Sequence, residues 1–201
     1  TEEFDYYLPK ELIAQEPAEV RDTSRLMVLH RDGRIEHRIF RDVVEYFFPG
    51  DILVLNNTKV MRARLIGTRS DTGGKVEVLL LRRAGGPDTW EALVKPGRRA
   101  REGASIIFGD GSLVGEVVEK RAGGLRIVKF ASPWGVDEAI RKWGSLPLPP
   151  YITREIRDES RYQTVYAEKE GSAAAPTAGF HFTEELLSKI RAKGVGIAFV
   201  T

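Results

Sequence analysis

The chain contains no cysteine. This removes disulfides, thiolate nucleophiles and cysteine-held zinc or iron–sulfur sites. Its three histidines, His30, His37 and His181, are too scattered to suggest a histidine-rich metal site. No run of about 18 apolar residues occurs, so no membrane-spanning helix is expected. The N-terminal stretch TEEFDYYLPKELIAQ is acidic and lacks an apolar core, so it does not read as a secretory signal. There is no P-loop, no GxGxxG after a strand and no GxSxG elbow, which disfavours ATP, dinucleotide-redox and serine-hydrolase chemistry. Repeats and low-complexity tracts are absent too. These absences lead us to expect a soluble cytoplasmic protein with no protein-held metal. With no large apolar stripe evident, a monomer is the expectation.

What is present reads as ordinary globular composition, 42% apolar and 30% charged over 201 residues, enough for one large domain or two small ones. Pro9 suits the start of a short helix over 9–15. Asp32-Gly33 between residues 25–30 and 34–37 is a hairpin signal. Residues 42–48 read as a short helix closed by Pro49-Gly50. Residues 51–55, DILVL, form an apolar run of the kind found in strands buried on both faces.

The pattern then changes. Six short β-runs cover 61–69, 75–83, 89–95, 104–110, 113–120 and 125–131, separated by glycine-rich turns. Six short strands need closure to remove open edges, which favours a barrel. Mixed structure returns with a helix over 136–143, a stiff proline-rich connector over 146–150, helix and loop over 158–167, and a small-residue loop over 171–182. Thr183 then caps a helix with Glu184 and Glu185 in its first turn, Arg191 and Lys193 in its last, and Gly194 beyond it. Residues 195–200 read as a buried strand. The expected fold is a discontinuous α/β domain (1–58 and 132–201) with an inserted six-stranded antiparallel β-barrel (59–131). Two consecutive domains are the alternative.

The candidate chemistry centres on RYQTVYAEKEGSAAAPTAGFHFTE, residues 161–184. Its small residues leave room for a ligand, with Pro176, Thr177 and Gly179 punctuating the loop. The loop feeds a helix N-terminus, where free N–H groups favour an anion or carboxylate. His181 sits at that entry and is of the residue type suited to proton transfer near neutral pH. Phe180 and Phe182 flank it and are able to stack on a purine or face a sulfonium. The competing reading is a hydrophobic staple around a helix start. Arg21-Asp22-Thr23-Ser24-Arg25 combines charges and hydroxyls that bind phosphate or ribose, or else forms a capped turn. Asn56 and Asn57 follow a strand whose carboxyl end is where α/β ligands collect, or form a plain polar turn. Tyr162, Gln163 and Tyr166 offer stacking and hydrogen bonds, or a half-buried helix face.

ELIAQEP, RDTSRLMVL, GDILVLNNT, PLPPYI, RYQTVYA and GSAAAPTAGFHFT, in that order, closely resemble one family, the S-adenosylmethionine:tRNA ribosyltransferase-isomerases of queuosine biosynthesis. The resemblance runs from Phe4 to Thr201. It departs at Phe180, where family members have leucine, and in length, since the family chain continues well past 195–200 into segments rich in His, Gly and Thr. It leaves open whether this chain is a fragment. The resemblance implies an α/β domain interrupted by a six-stranded barrel. It implies that S-adenosylmethionine is consumed as a ribosyl donor. The ribosyl group would move to 7-aminomethyl-7-deazaguanine at the tRNA wobble position and rearrange to epoxyqueuosine, releasing adenine and methionine. On that reading His181 is the candidate for proton transfer. Phe180, Phe182 and Tyr166 are stacking candidates, and Arg21, Asp22, Ser24 and Arg25 contact ribose, carboxylate or tRNA. The competing readings are an RNA-binding barrel without chemistry and an inactive fragment.

The formal net charge of +2 hides a split. Residues 59–131 hold 15 basic and 8 acidic residues, a net +7, and the remainder carries −5. Such asymmetry steers a polyanion to one part of a protein. Arg98, Arg99 and Arg101 form the densest basic patch and are the expected tRNA contacts.

Overall fold

The computed structural model describes residues 2–154, 156 and 158–201. Its strands and α-helices are, in chain order, β1 (Arg25–Leu29), β2 (Ile35–Ile39), β3 (Ile52–Asn56), β4 (Thr58–Val60), β5 (Arg64–Arg69), β6 (Lys75–Arg83), β7 (Thr89–Lys95), β8 (Ser105–Phe108), β9 (Leu113–Lys120), β10 (Leu125–Ala131), α1 (Val136–Trp143), β11 (Gly144–Ser145), β12 (Lys169–Ser172), α2 (Glu184–Ala192) and β13 (Gly196–Val200). The chain divides into two compact units. One comprises Thr1–Asn56, Leu148–Tyr166 and Pro176–Val200, the other Asn57–Pro147, Ala167–Ala175 and Thr201.

The second unit is built on a closed, six-stranded antiparallel barrel, as expected. Its strand order is β5-β6-β7-β10-β9-β8, and β8 returns to pair with β5. Alternation explains the core: Val76, Val78 and Leu80 of β6, Ala92 and Val94 of β7, Ile106 and Phe108 of β8 all point inward and are buried. Glycine makes the closure possible. A Cβ on Gly67 would lie 2.6 Å from the Phe108 ring and 2.6 Å from the Ile107 carbonyl oxygen. Helix α1 buries Val136, Ala139 and Ile140 in this same core. Three short strands, β4, β11 and β12, escape the sequence reading. Strand β11 adds to β5, and β12 pairs in parallel with β4. Segments of two to four residues carry no usable period.

The first unit contains the β1–β2 hairpin. Gly33 supplies its positive φ of 85°, and Asp32 Oδ1 accepts the Arg34 N–H at 3.0 Å. Glu36 of β2 accepts from Tyr46, His30, Arg38 and Arg34. Chiefly through Tyr46, then His30 and Arg38, its carboxyl is held down at about 2. Its stabilisation is therefore present above the ordinary carboxylate range and is lost only as pH falls through that range toward 2.

Helix α2 packs Leu186, Leu187 and Ile190 against Leu55 and Val195, while β13 runs parallel to β3. Its N-terminus is capped as expected, Thr183 Oγ1 accepting the Leu186 N–H at 3.1 Å. Its C-terminus closes in a Schellman motif: Gly194 N–H donates to Arg191 O at 2.9 Å and Val195 N–H to Ile190 O at 3.4 Å. Thr183→Ala is expected to cost about 1 kcal/mol, read as a drop in the urea unfolding midpoint with unchanged slope.

Several expectations need correction. The segments near 9–15 and 42–48 are not α-helical. They are 3-10 turns at Lys10–Leu12 and Phe40–Tyr46, and Glu159–Tyr162 is another. The runs at 51–55 and 195–200 are strands, but not buried ones. Each is half of a two-stranded sheet with α2 on one face, so Ile52 (68% exposed), Val54 (57%) and Val200 (53%) face outward. A continuous apolar run shows that a strand forms; the number of layers around it decides its burial.

Candidate functional site

Three distant segments meet in the first unit. The 3-10 turn Arg21–Thr23 leads into β1, the turn Glu159–Tyr162 follows the proline-rich connector, and the turn Thr177–His181 precedes α2. Ser24 Oγ lies 2.7 Å from His181 Nδ1. The same hydroxyl is 3.4 Å from the Arg21 carbonyl oxygen, a weaker contact. Given to Nδ1, the hydroxyl proton leaves Nε2 protonated and free to donate. The His181 ring packs on Phe40 with centroids 5.0 Å apart, and Phe40 meets Phe182 edge-on, also at 5.0 Å. His181 is thus held from one side by a hydroxyl and from another by an aromatic ring.

Arg21 ties the segments together. Its Nη1 donates to Phe180 O at 3.1 Å and its Nη2 to Ser160 O at 3.0 Å. Its guanidinium pKa is lowered from the ordinary arginine value, first by burial and then by nearby Arg161, with Asp158 opposing. Both of its terminal nitrogens are tied to backbone carbonyls of the scaffold. Asp22 pairs with Arg41 at 3.4 Å, and Arg25 points outward from the edge of β1.

Around this point the ring of Phe180 meets Tyr162 edge-on at 5.4 Å. Tyr162 is buried, and burial raises its hydroxyl pKa, as it does for Tyr166. Gly179 is required here. A Cβ on it would sit 2.2 Å from the Tyr166 hydroxyl and 2.8 Å from Thr164 Cγ2. Thr164 is only 5% exposed and its hydroxyl lacks a partner among the described residues. Pro176 O accepts the Gly179 N–H at 2.8 Å, which folds Thr177 and Gly179 into the turn bearing His181. Gln163 ends the turn at 159–162.

Phe182 is 7% exposed and belongs to the α2 core, so its ring supports the site from beneath. Asn56 ends β3 opposite Val200. In the barrel unit, Asn57 is fixed by its own contacts: Nδ2 donates to Glu168 at 3.2 Å and Oδ1 accepts from Thr201 at 2.7 Å. Sequence reasoning missed Phe40 and Thr164. Thr164 lay inside a quoted motif, whereas Phe40 carried no local signal.

The basic patch is more differentiated than its sequence. Arg98 and Arg101 are exposed, but Arg99 Nη1 donates to Lys75 O at 2.8 Å. The turn is held from inside by Arg126, which is 4% exposed and donates to Ala100 O (2.8 Å) and Gly97 O (3.2 Å). Among the described residues no cluster of three or more His, Asp or Glu is placed to hold a metal, and no helix is long and apolar enough to cross a membrane.

The family model described as queuosine biosynthesis protein matches residues 1–201. A Clostridioides difficile protein named S-adenosylmethionine:tRNA ribosyltransferase-isomerase is 58% identical, over 100% of this chain and 59% of its own length. A protein of the same name from Symbiobacterium thermophilum is 56% identical over 99% of this chain and 58% of its own. A solved S-adenosylmethionine tRNA ribosyltransferase from Thermotoga maritima shares 39% identity over 98% of this chain and 57% of its own, with a TM-score of 0.39. The chain thus spans less than two thirds of the length of these relatives.

Proposed function

Because the chain belongs to the family of queuosine biosynthesis proteins, we propose that it acts in transfer and isomerisation of the ribosyl group of S-adenosylmethionine. The acceptor is 7-aminomethyl-7-deazaguanine at the tRNA wobble position, and the products are epoxyqueuosine, adenine and methionine. The observation that carries this reading is the 2.7 Å contact of Ser24 with His181, in a loop where Gly179 lets Tyr166 and Thr164 approach closely.

The chemistry makes three demands. A proton must leave the carbon next to the sulfonium, whose charge acidifies it. Adenine must depart, which a donor to the purine assists. The wobble base must be splayed out of its stack to be reached. His181, oriented through Nδ1 by Ser24, presents Nε2 for proton transfer. The Phe180–Tyr162 pair offers aromatic faces to the sulfonium or a purine. The Tyr166 hydroxyl offers a hydrogen bond to the ribose. Arg21 acts by holding the Phe180 and Ser160 backbones in place. Residues 1–58 and 132–201 carry this chemistry, and residues 59–131 meet the tRNA through Arg98 and Arg101. A monomer working in the cytoplasm without a metal completes the reading.

The test is incubation with S-adenosylmethionine and tRNA bearing the precursor base. Adenine is expected to appear only when both are present. Salt-sensitive tRNA binding with no adenine would replace the enzyme with an RNA-binding module, a reading that the basic barrel sequence favours.

A further inference from the structure

The outer face of the barrel carries a cleft of about 410 Å³ that none of the assignments above uses. Its floor is one register row across four strands. Arg82 of β6 pairs with Glu91 of β7, Glu91 with Ile127 of β10, and Ile127 with Glu119 of β9. The row depends on bulges. Val76, Val78 and Leu80 point into the core, and strict alternation would send Arg82 after them. The irregularity between Leu80 and Arg82 breaks that phase and brings Arg82 beside Glu91. Strand β10 is irregular at the same row, between Ile127 and Val128.

Glu91 faces outward yet is only 6% exposed, because two arginines cover it. It accepts Nε and Nη2 of Arg82 at 3.0 and 3.1 Å, and Nη1 of Arg121 at 3.2 Å. Arg121 also gives Nε and Nη2 to Glu119 at 2.9 and 3.1 Å. The hydrogen bond from Arg82 chiefly holds the Glu91 carboxyl below its ordinary range, so it stays ionised. The carboxylates thereby fix two guanidinium planes without exhausting them. The Arg82 side chain remains 73% exposed and its Nη1 has no partner among the described residues. Each terminal nitrogen of Arg121 keeps a second N–H. Arg83 also lines the cleft, its guanidinium lying 4.2 Å over the Trp90 ring and paired with Asp137.

We propose that this cleft is a pre-organised clamp for a phosphodiester of an RNA strand, with Arg82 and Arg121 donating to phosphate oxygens above Ile127. Guanidinium forks with free N–H groups match a tetrahedral oxyanion. The unit around them holds 18 basic and 12 acidic residues, which favours a polyanion. The proposal rests on the reading that this protein handles tRNA, and it says where the backbone is gripped. The lining residues of the cleft are distinct from the Arg98–Arg101 patch.

The test is binding of the protein to an RNA hairpin of arbitrary sequence across a salt series, with inorganic phosphate as competitor. Arg82→Gln and Arg121→Gln each leave Glu91 one arginine partner. Each is expected to weaken binding severalfold and to flatten the salt slope by about 0.7–0.9. Glu91→Gln raises the net charge by one, yet is expected to weaken binding because it removes the carboxylate that anchors Arg82 and leaves Arg121 held by Glu119 alone. Thermal unfolding confirms that each variant is folded. Tighter or unchanged binding in Glu91→Gln, or unchanged binding in both arginine variants, overturns the clamp, as does a parent protein that ignores the hairpin. Inorganic phosphate competing as strongly as RNA would reassign the cleft to a free anion. Absence of adenine release beside intact arginine effects would sink the enzymatic reading alone and leave the clamp standing.

Discussion

Replacing His181 with alanine is expected to slow adenine release by about 10²- to 10⁴-fold, the usual worth of a positioned proton-transfer group. Binding of S-adenosylmethionine should change little, so the loss falls on kcat rather than KM. The expectation follows from how the ring is held. Ser24 Oγ at 2.7 Å fixes Nδ1, and Phe40 at 5.0 Å fixes the ring plane. Ser24→Ala removes only the orienting partner. It should produce a smaller loss together with an altered pH–rate profile, and Ser24→Thr should restore both because it keeps the hydroxyl. Normal turnover in His181→Ala would place the proton transfer elsewhere.

Phe108→Ala is expected to destabilise the barrel unit by about 3–5 kcal/mol. Phe108 is 1% exposed, lies 6.0 Å from the Phe130 ring, and ends β8 where that strand pairs with β5. Its ring lies where a side chain on Gly67 would go, so Gly67 has no side chain with which to refill the void. Because β5–β8 pairing is the closing seam, the loss should also speed hydrogen exchange along Gly67 to Arg69, opposite Phe108 to Ile106. Urea unfolding followed by tryptophan fluorescence would read the first effect. A loss under 1 kcal/mol would mean that the seam does not depend on this ring.

The barrel was legible because its rules are local. A period of two marks which side chains enter the core, and glycine-rich turns separate the runs. All six barrel strands fall on the β-runs read from the sequence, with ends shifted by up to three residues. The cap and stop of α2 were legible for the same reason, since Thr183 and Gly194 act on backbone groups within one turn of themselves. Burial was not legible. DILVL looks like an interior strand, but Ile52 and Val54 lie exposed on a sheet of two strands. The 3-10 geometry of residues 40–46 was equally hidden, because a 3.0- and a 3.6-residue period do not separate over seven residues.

The candidate site divides along the same line. Residue type alone singled out His181, Ser24 and the small-residue loop as places where chemistry fits. Their meeting is a tertiary fact, since 157 residues of chain separate Ser24 from His181. The same holds for Arg21, whose charge suggested a ligand while its contacts with Phe180 and Ser160 make it a tie between segments. It holds again for the arginines of the barrel. By sequence Arg98, Arg99 and Arg101 were the densest patch, yet one of them is tied to a backbone carbonyl. Arg82 and Arg121, which are 39 positions apart, are brought onto one carboxylate by register and a bulge. Sequence determines what each side chain is able to do and the period with which short elements form, because those depend on neighbours along the chain. Which groups share a proton or a carboxylate is decided by packing, because hydrogen bonds and charges act over a few ångströms of space regardless of their separation along the chain.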